Sequence, residues 1–296
     1  MSGTAERIFA HTESESLLWP PADVSASAYQ SALPSAPLRD YVERIHLGYE
    51  RLPPDAPVEE RVLPDGAVHL IFNLGDPPGV VGGESSVSEA LGATCEPALV
   101  RMAGHVEQVG VKLRPGGLAP FLGVPAGEIA GGAVSLADLW GARAGEALER
   151  LAGAPHGPRR VAVMESVLLA LLSRGDPCPN LLATEAVRRI YEAGGRIRVR
   201  ELASTLGVGE RRLEQVFHGH VGVPAKTVCR LARFRASVSL LRREPARSWS
   251  QIAHRCGYYD QSHLVNEFQA LAGLTPRAFR ESAGFGFLQD GAAEAL

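Results

Sequence analysis

Amide, hydroxyl and guanidinium side chains recur at helical spacing in two short stretches of the C-terminal third of the chain. One stretch carries Arg211, Arg212 and Gln215, and the other carries Gln261, Ser262, Asn266 and Gln269. Asn and Gln make bidentate hydrogen bonds to adenine, and Arg makes them to guanine, when a helix holds them against base edges in the major groove. These residues therefore predict readout of DNA sequence, with Asn266 and Arg212 as the first candidates.

Both stretches belong to an internal repeat. In each copy, apolar and small residues fall at i, i+3, i+4 and i+7, a glycine follows, and the apolar pattern then resumes. The repeated positions are Val199, Leu202, Ala203, Leu206, Gly207, Leu213 and Phe217, matched by Trp249, Ile252, Ala253, Cys256, Gly257, Leu264 and Phe268. A short helix, a glycine turn and a second helix with one buried stripe make a helix-turn-helix. We predict two such units, at about residues 199–218 and 250–271.

A long helix is predicted between the two units. Pro224 favours a helix start, and the Glu244-Pro245 pair favours an end after about Arg243. About 19 residues at 1.5 Å each make a rod of about 28 Å. Successive major grooves on one face of a duplex recur about every 34 Å, so helices at the two ends of the rod could enter adjacent grooves.

Charge is divided unevenly along the chain. Residues 1–180 carry 13 Lys and Arg against 22 Asp and Glu, a net of −9, whereas residues 181–296 carry 17 against 11, a net of +6. The basic C-terminal third indicates a polyanionic partner. Phosphate contacts are predicted for Lys226, Arg230, Arg247 and Arg277, with Arg233, Arg235, Arg242 and Arg243 also available.

Residues 248–280 resemble the second helix-turn-helix and signature of the AraC/XylS family of transcription regulators. The matching residues are Ile252, Ala253, Gly257, Tyr258, Asp260, Ser262, His263, Phe268, Gly273, Thr275, Pro276, Phe279 and Arg280. The upstream copy, with Ala203, Gly207 and Phe217, resembles the family's first unit, so the resemblance covers residues 181–281. It implies specific binding of double-stranded promoter DNA without catalysis or a cofactor. RNA polymerase, a small-molecule effector and a second copy of the chain are the further partners that it allows.

Several positions depart from the family pattern. Leu264 stands where Phe is usual, Asn266 where Arg is usual and Gln269 where Lys is usual; in the first unit Gly209 replaces Ser and Gln215 replaces Arg. Three positive charges are thus missing, which predicts weaker backbone affinity and a different base preference. Asp260 is expected to cap the second recognition helix, and Trp249, Tyr258 and Tyr259 are expected to pack the turn and the core.

Residues 29–155 predict an α+β domain in front of this all-α domain. Alternating apolar residues at 45–50, 68–74 and 109–114 indicate an antiparallel sheet, with turns at 64–66 and 115–117 and helices at about 136–151 and 159–173. Residues 1–28 are expected to be loose, 156–180 to be a helix and linker with the boundary at 175–180, and 282–296 to be a tail. Parts of the front domain resemble an uncharacterised domain often fused to AraC-type DNA-binding domains, a family with no activity to carry over. For residues 29–155 we expect a sensor or dimerisation role.

Composition and patterning argue against several other classes. The longest apolar stretch, at 161–172, is interrupted by Glu165 and Ser166, so no membrane crossing is predicted. The acidic N-terminus lacks the pattern of a secretory signal, and a cytoplasmic location is expected. The four cysteines are far apart and are interpreted as reduced and structural.

Catalytic and metal-binding patterns are weak. His46, His69 and His105 lie on strand-like segments near Glu59, Glu60 and Asp65, but no metal-ligand spacing supports a site, and structural histidines are predicted. No phosphate loop or nucleophile elbow is present in the sequence. Two alternatives stay open. One is an enzyme delivered to DNA by this domain, which the Pro-Cys-Pro setting of Cys178 does not favour. The other is a ligand-binding adaptor without DNA affinity, which the missing positive charges allow.

Overall fold

The computed structural model describes residues 6–9, 27–80, 86–174 and 178–282. Its strands are β1 (Glu6–Phe9), β2 (Ser27–Ala32), β3 (Val42–Arg51), β4 (Val58–Val62), β5 (His69–Asn73), β6 (Gly79–Val80), β7 (Ser88–Leu91), β8 (Ala98–Met102), β9 (His105–Leu113) and β10 (Ala133–Ser135). Its helices are α1 (Ala119–Leu122), α2 (Leu136–Trp140), α3 (Ala142–Ala152), α4 (Pro158–Leu172), α5 (Leu181–Glu192), α6 (Val199–Thr205), α7 (Glu210–His220), α8 (Ala225–Arg243), α9 (Trp249–Arg255), α10 (Gln261–Ala272) and α11 (Pro276–Ser282). Within the described ranges, no helix has both the length and the apolar character needed to cross a bilayer.

The three predicted strands form the centre of a six-stranded antiparallel sheet, in the order β10-β7-β5-β9-β3-β2. Ile45 of β3 and Leu70 of β5 both lie opposite Val111 of β9, and Leu47 lies opposite Val109. All five side chains are buried. Because alternate residues of a strand point to the same face, the sequence alternation correctly predicted which face of this sheet is buried.

A second sheet, in the order β1-β4-β8-β6, contains a strand that the sequence did not suggest. β1 pairs with β4 in parallel, with Ile8 opposite Arg61. The expectation that residues 1–28 are loose is therefore wrong for residues 6–9. Ile8 is only 1% exposed, and burial of such a side chain stabilises a strand whose neighbouring sequence is polar. Residues 1–5 and 10–26 lie outside the described residues.

The helix predicted over 136–151 is in fact two helices, α2 and α3. Gly141 joins them with φ 63° and ψ −140°, a backbone conformation that glycine adopts readily and that ends a helix. The predicted helix at 159–173 is confirmed as α4, and it packs against the front domain. Arg160 of α4 donates to the carbonyl of Ala154 at 2.8 Å and forms an ion pair with Glu107 of β9. The boundary residues 175–177 lie outside the described residues, as does the tail at 283–296.

The helices of the C-terminal domain follow the predicted repeat. α6 with α7 forms the first helix-turn-helix, α9 with α10 forms the second, and α8 joins them. Pro224 is the N-cap of α8, whose 19 residues make the expected rod of about 28 Å. The predicted fold class, an α+β domain followed by an all-α domain with two helix-turn-helix units, is confirmed.

Two hydrophobic cores hold the structure together, and each contains residues of both domains. The larger core joins the six-stranded sheet to α5, α6, α7 and the first part of α8. The smaller core joins Ile8 of β1 and Leu63, which follows β4, to the later part of α8 and to α9, α10 and α11. Each helix-turn-helix unit is thus packed against the front domain.

The turn at 115–117 also joins the two domains. Gly116 has φ +87° and donates its N–H to the carbonyl of His220, the last residue of α7. The carbonyl of Gly116 accepts from the N–H of Asn180, and the carbonyl of Pro115 accepts from the hydroxyl of Thr184 on α5. The predicted corner between β9 and α1 is therefore also the place where the first helix-turn-helix is attached.

Candidate nucleic-acid interface

The two helix-turn-helix units turn by the same backbone hydrogen bonds. In the first, the N–H of Val208 bonds to the carbonyl of Ala203 at 3.0 Å, and that of Gly207 bonds to Ser204 at 3.1 Å. In the second, Tyr258 bonds to Ala253 at 2.9 Å and Gly257 to His254 at 3.2 Å. In both units the two bonds are donated by a glycine in the left-handed conformation and by the residue that follows it. This pattern is a Schellman helix ending.

Both turn glycines have the positive φ that this ending requires, +69° at Gly207 and +79° at Gly257. The small residues Ala203 and Ala253 are buried, at 2% and 1% exposed, where the second helix of each unit crosses the first. The internal repeat read from the sequence is therefore a repeat of backbone geometry.

The second recognition helix, α10, is fixed at both ends. The carboxylate of Asp260 accepts the N–H of His263 at 2.7 Å, which confirms the predicted cap. At the other end Gly273 has φ +66°, and Gln269 donates to its carbonyl at 3.2 Å. The signature residue Pro276 begins the following helix, α11.

One face of α10 is buried and the opposite face is exposed. Leu264 and Phe268 are fully buried, and the Phe268 ring packs edge-on against Phe234 of α8 at 4.9 Å between centroids. The predicted base-reading residues, Gln261, Ser262, Asn266 and Gln269, are all exposed. The helix thus presents the residues in question to solvent while its apolar stripe holds it in place.

The first recognition helix, α7, has the same division but a different cap. Leu213, Val216 and Phe217 are buried, and the predicted reading residues Arg211, Arg212 and Gln215 are exposed. Its N-cap is Gly209, which has no side chain to accept a backbone N–H. The N-terminal N–H groups of α7 are therefore left for another acceptor, and a DNA phosphate is chemically suited to that place.

The predicted phosphate-contacting residues fall into two groups. Lys226 is exposed on the first turn of α8. Arg247 and Arg277 are each paired with a glutamate close in sequence, Glu244 and Glu281. The Arg277 pair is exposed and the Arg247 pair is half-buried. An exposed local pair is weak, so a phosphate can compete most readily for Arg277.

Arg230 is in a different situation. It lies on α8 and makes hydrogen bonds of 3.1 Å to both carboxylate oxygens of Glu267 on α10. These bonds raise the pKa of Arg230, and the Glu267 side chain is only 12% exposed. Because a largely buried carboxylate holds it, Arg230 links α8 to the second recognition helix, which competes with the predicted phosphate contact.

The three aromatic residues expected to pack inward do not behave alike. Tyr258 is buried, and that burial raises the pKa of its hydroxyl. Trp249 packs against the guanidinium of Arg280, 4.7 Å from the ring centroid. Tyr259 is 92% exposed, immediately before the cap of α10, so the expectation is wrong for this residue. Tyr259 stands next to a capping Asp in the sequence, at a position where a side chain points away from the core. That position was the signal from which its exposure could have been predicted.

The histidines of the front domain are engaged in local contacts. Nδ1 of His46 lies 2.6 Å from the Tyr29 hydroxyl. Burial is the largest of the causes that lower the pKa of His46 to about 3. His69 lies 3.1 Å from Asp65, which also binds Lys112. In the part of the chain that the structure describes, no group of three potential ligands is arranged to hold a metal ion.

Comparison with protein families finds matches for two separate segments of the chain. Residues 202–282 match a family described as a helix-turn-helix domain, and residues 30–135 match a domain of unknown function (DUF6597). The first match covers both units together with the AraC/XylS signature residues. Residues 202–282 are therefore an AraC-type helix-turn-helix domain. The match to the domain of unknown function runs from within β2 to the end of β10, so it contains most of both sheets and α1 but not β1.

Solved structures of other regulators resemble the chain weakly. ToxT from Vibrio cholerae O395 is 10% identical, with 81% of this chain and 98% of ToxT covered at a TM-score of 0.45. The xylose-binding transcription activator XylR is 18% identical over 43% of this chain and 40% of its own, at a TM-score of 0.31. The AraC-like transcriptional activator CuxR is 16% identical over 71% and 86%, at a TM-score of 0.25. TM-scores of this size do not establish a common fold. No curated protein matches the chain significantly.

Proposed function

We propose that this AraC-type regulator binds specific promoter sequences by placing α7 and α10 in successive major grooves on one face of the duplex. One observation carries this. Each recognition helix exposes its predicted reading residues while burying its apolar stripe, and a single continuous helix of 19 residues joins the two units. A rod of about 28 Å is close to the spacing of about 34 Å between successive grooves.

Within this arrangement the exposed residues divide by the chemistry they offer. We assign base readout to Asn266, Gln261, Ser262 and Gln269 on α10 and to Arg212, Arg211 and Gln215 on α7. Lys226, Arg247 and Arg277 are assigned to phosphates, where they supply affinity without sequence preference. Tyr259 joins them, because its exposed hydroxyl at the start of α10 can donate to a phosphate.

The front domain is proposed to modulate DNA binding and to catalyse no reaction. Support comes from the two shared cores, since a change in the front domain alters the packing of both helix-turn-helix units. A regulator of promoters works where the chromosome is, so we also propose a cytoplasmic location.

Selection of binding sites from random DNA by the full-length chain tests this function. A short consensus should be enriched, and it should outcompete random DNA by about 10³-fold or more at physiological salt. If repeated rounds enrich no sequence and all fragments bind equally, the chain is instead an adaptor or a DNA-delivered enzyme.

A further inference from the structure

A cavity of about 420 Å³ lies between the front domain and the DNA-binding domain. Strands β3 and β9 and the turns at 65–67 and 114–115 form one wall, and α5 and α8 form most of the other. Cavities that bind small molecules are typically of this size and often lie between domains. A molecule bound here would touch both domains, including the helix that joins the two DNA-reading units.

The charged side chains around this cavity are mostly basic. Five basic side chains and two carboxylates line it. The carboxylates, Glu43 and Asp65, are both bound by Lys112, at 3.1 and 3.0 Å. Asp65 is also bound by His69. Lys112 offsets one of these two negative charges, and the four arginines of the lining still give the cavity a positive character.

Two of these arginines lie on opposite walls. Arg114, at the end of β9, has a buried Nε with no hydrogen-bond partner among the described residues. A buried donor without a partner costs free energy, so an acceptor at this position would be stabilised. Arg235 of α8 lines the opposite wall and lies over the ring of Tyr191, 5.0 Å from its centroid. Arginine binds carboxylate and phosphate oxygens in a forked geometry.

Most of the uncharged residues of the lining are apolar, with Thr184 and Tyr191 as the polar exceptions. Leu33, Val187, Val221 and Val228 contribute aliphatic surface between the charged groups. This combination suits a molecule with a carbon skeleton and does not suit a bare inorganic ion.

We propose that this cavity binds a small organic anion whose carboxylate or phosphate group is held by Arg114 and Arg235. The anion bridges the two domains and stabilises the arrangement in which α8 is packed against the front domain. By linkage, a ligand that prefers one arrangement of the domains changes the affinity for DNA by the same factor by which DNA changes the affinity for the ligand. The proposal that the anion binds does not depend on DNA recognition. The proposal that the anion changes the affinity for DNA rests on the proposed function.

Thermal unfolding of the full-length chain at constant ionic strength tests the site. The probes are succinate, hexanoate and glucose 6-phosphate, each paired with an uncharged counterpart: succinamide, hexanamide and glucose. At saturating concentration at least one anion should raise Tm by about 2–4 °C or more above its counterpart. A response to glucose 6-phosphate alone indicates a phosphate ligand, and a response to the acids indicates a carboxylate. If no anion exceeds its uncharged counterpart, the proposal is overturned.

Two cavity variants and one surface variant give the test its control. Arg114→Gln and Arg235→Gln should each abolish the Tm shift, while Arg143→Gln, on an exposed position of α3, should keep it. Arg114→Gln removes a donor that has no partner, so its Tm without ligand should be unchanged or higher, which separates loss of binding from loss of folding. A shift that persists in both cavity variants would also overturn the site. The selection of DNA sites is carried out without any anion, and it tests DNA recognition alone. Thermal unfolding with the anions tests the cavity alone, so the two proposals can fail independently.

Discussion

At the scale of single residues, the sequence predicted which side chains are exposed for readout better than it predicted their partners. Asn266, Arg212 and the other predicted reading residues are exposed because they alternate with apolar residues at helical spacing, a pattern visible in the sequence. The pair between Arg230 and Glu267 joins residues 37 positions apart on two helices. No local pattern reports such a contact, so the partner of Arg230 could not be predicted.

Replacing Asn266 by Ala should lower the discrimination between the preferred site and its variants by about 1–3 kcal/mol, because a bidentate contact to a base is lost. The slope of log K against log salt should stay the same, since no phosphate contact changes. Lys226→Ala is the matched control. It should weaken binding to all sequences about equally and reduce the salt slope by about one. Titrations of both variants against the selected site, at several salt concentrations, check this, and unaltered discrimination in N266A would remove Asn266 from the reading face.

His46 should make the protein less stable in mild acid. Its pKa is about 3 in the folded state, against about 6.5 when unfolded, so below pH 6.5 the unfolded state takes up a proton that the folded state excludes. The free energy of unfolding is therefore unaffected by His46 above pH 6.5 and decreases as the pH falls towards 3. The decrease is about 2 kcal/mol at pH 5. His46→Gln keeps a polar group near Tyr29 but does not titrate. Urea unfolding at pH 7.5 and pH 5 should therefore show a smaller acid destabilisation in H46Q than in the original chain; equal losses would mean that His46 is not the cause.

At the scale of elements, helix ends were predicted where a side chain or a glycine determines them. The Asp260 cap, the Pro224 start and the two glycine turns all follow from local chemistry. β1 was missed because a four-residue strand is too short to show a periodic pattern in the sequence. The break at Gly141 was missed because the apolar spacing continues across it, and spacing alone does not report the φ of the glycine between α2 and α3.

The two turn glycines allow a matched comparison. Gly207→Ala places a residue with a Cβ in the left-handed backbone conformation, although no atom lies within 4 Å of that Cβ. The free energy of unfolding should therefore fall by about 1–2 kcal/mol from the backbone cost alone. Gly257→Ala has the same backbone cost, and its Cβ would also lie 2.7 Å from Cγ of Arg196. It should therefore cost more than G207A. Chemical denaturation of both variants checks the order, and a smaller loss in G257A would contradict the tight packing of the second turn.

At the scale of the whole molecule, the division into two domains could be predicted but their joint packing could not. The change in charge and the proline-rich segment mark a boundary near residue 180. However, Ile8 and Leu63 belong to the core of the second helix-turn-helix, and the six-stranded sheet belongs to the core of the first. Some of these contacts join residues more than 200 positions apart. They depend on how the surfaces of the two domains fit together, and the composition of the chain does not report that fit.

Ile8→Ala should therefore weaken the second helix-turn-helix from the far end of the chain. Removing a fully buried isoleucine side chain typically costs about 2–5 kcal/mol. Hydrogen exchange of the backbone amides of α10 should become faster, while those of α7, in the other core, should change less. Val87→Ala, at a position 52% exposed, is the control and should have little effect. Equal exchange changes in α7 and α10 would contradict the separation into two cores.

Hydroxyl-radical footprinting of the full-length chain on its selected site tests whether the rigid α8 places both recognition helices on one face of the duplex. We expect two protected tracts on the same face, centred about one helical turn apart, or about 10 base pairs, within a total of about 15–20 base pairs. Asn266→Ala should reduce cleavage protection in one tract, and Arg212→Ala should reduce it in the other. A single protected tract, or two tracts on opposite faces, would show that the two helix-turn-helix units do not read adjacent grooves together.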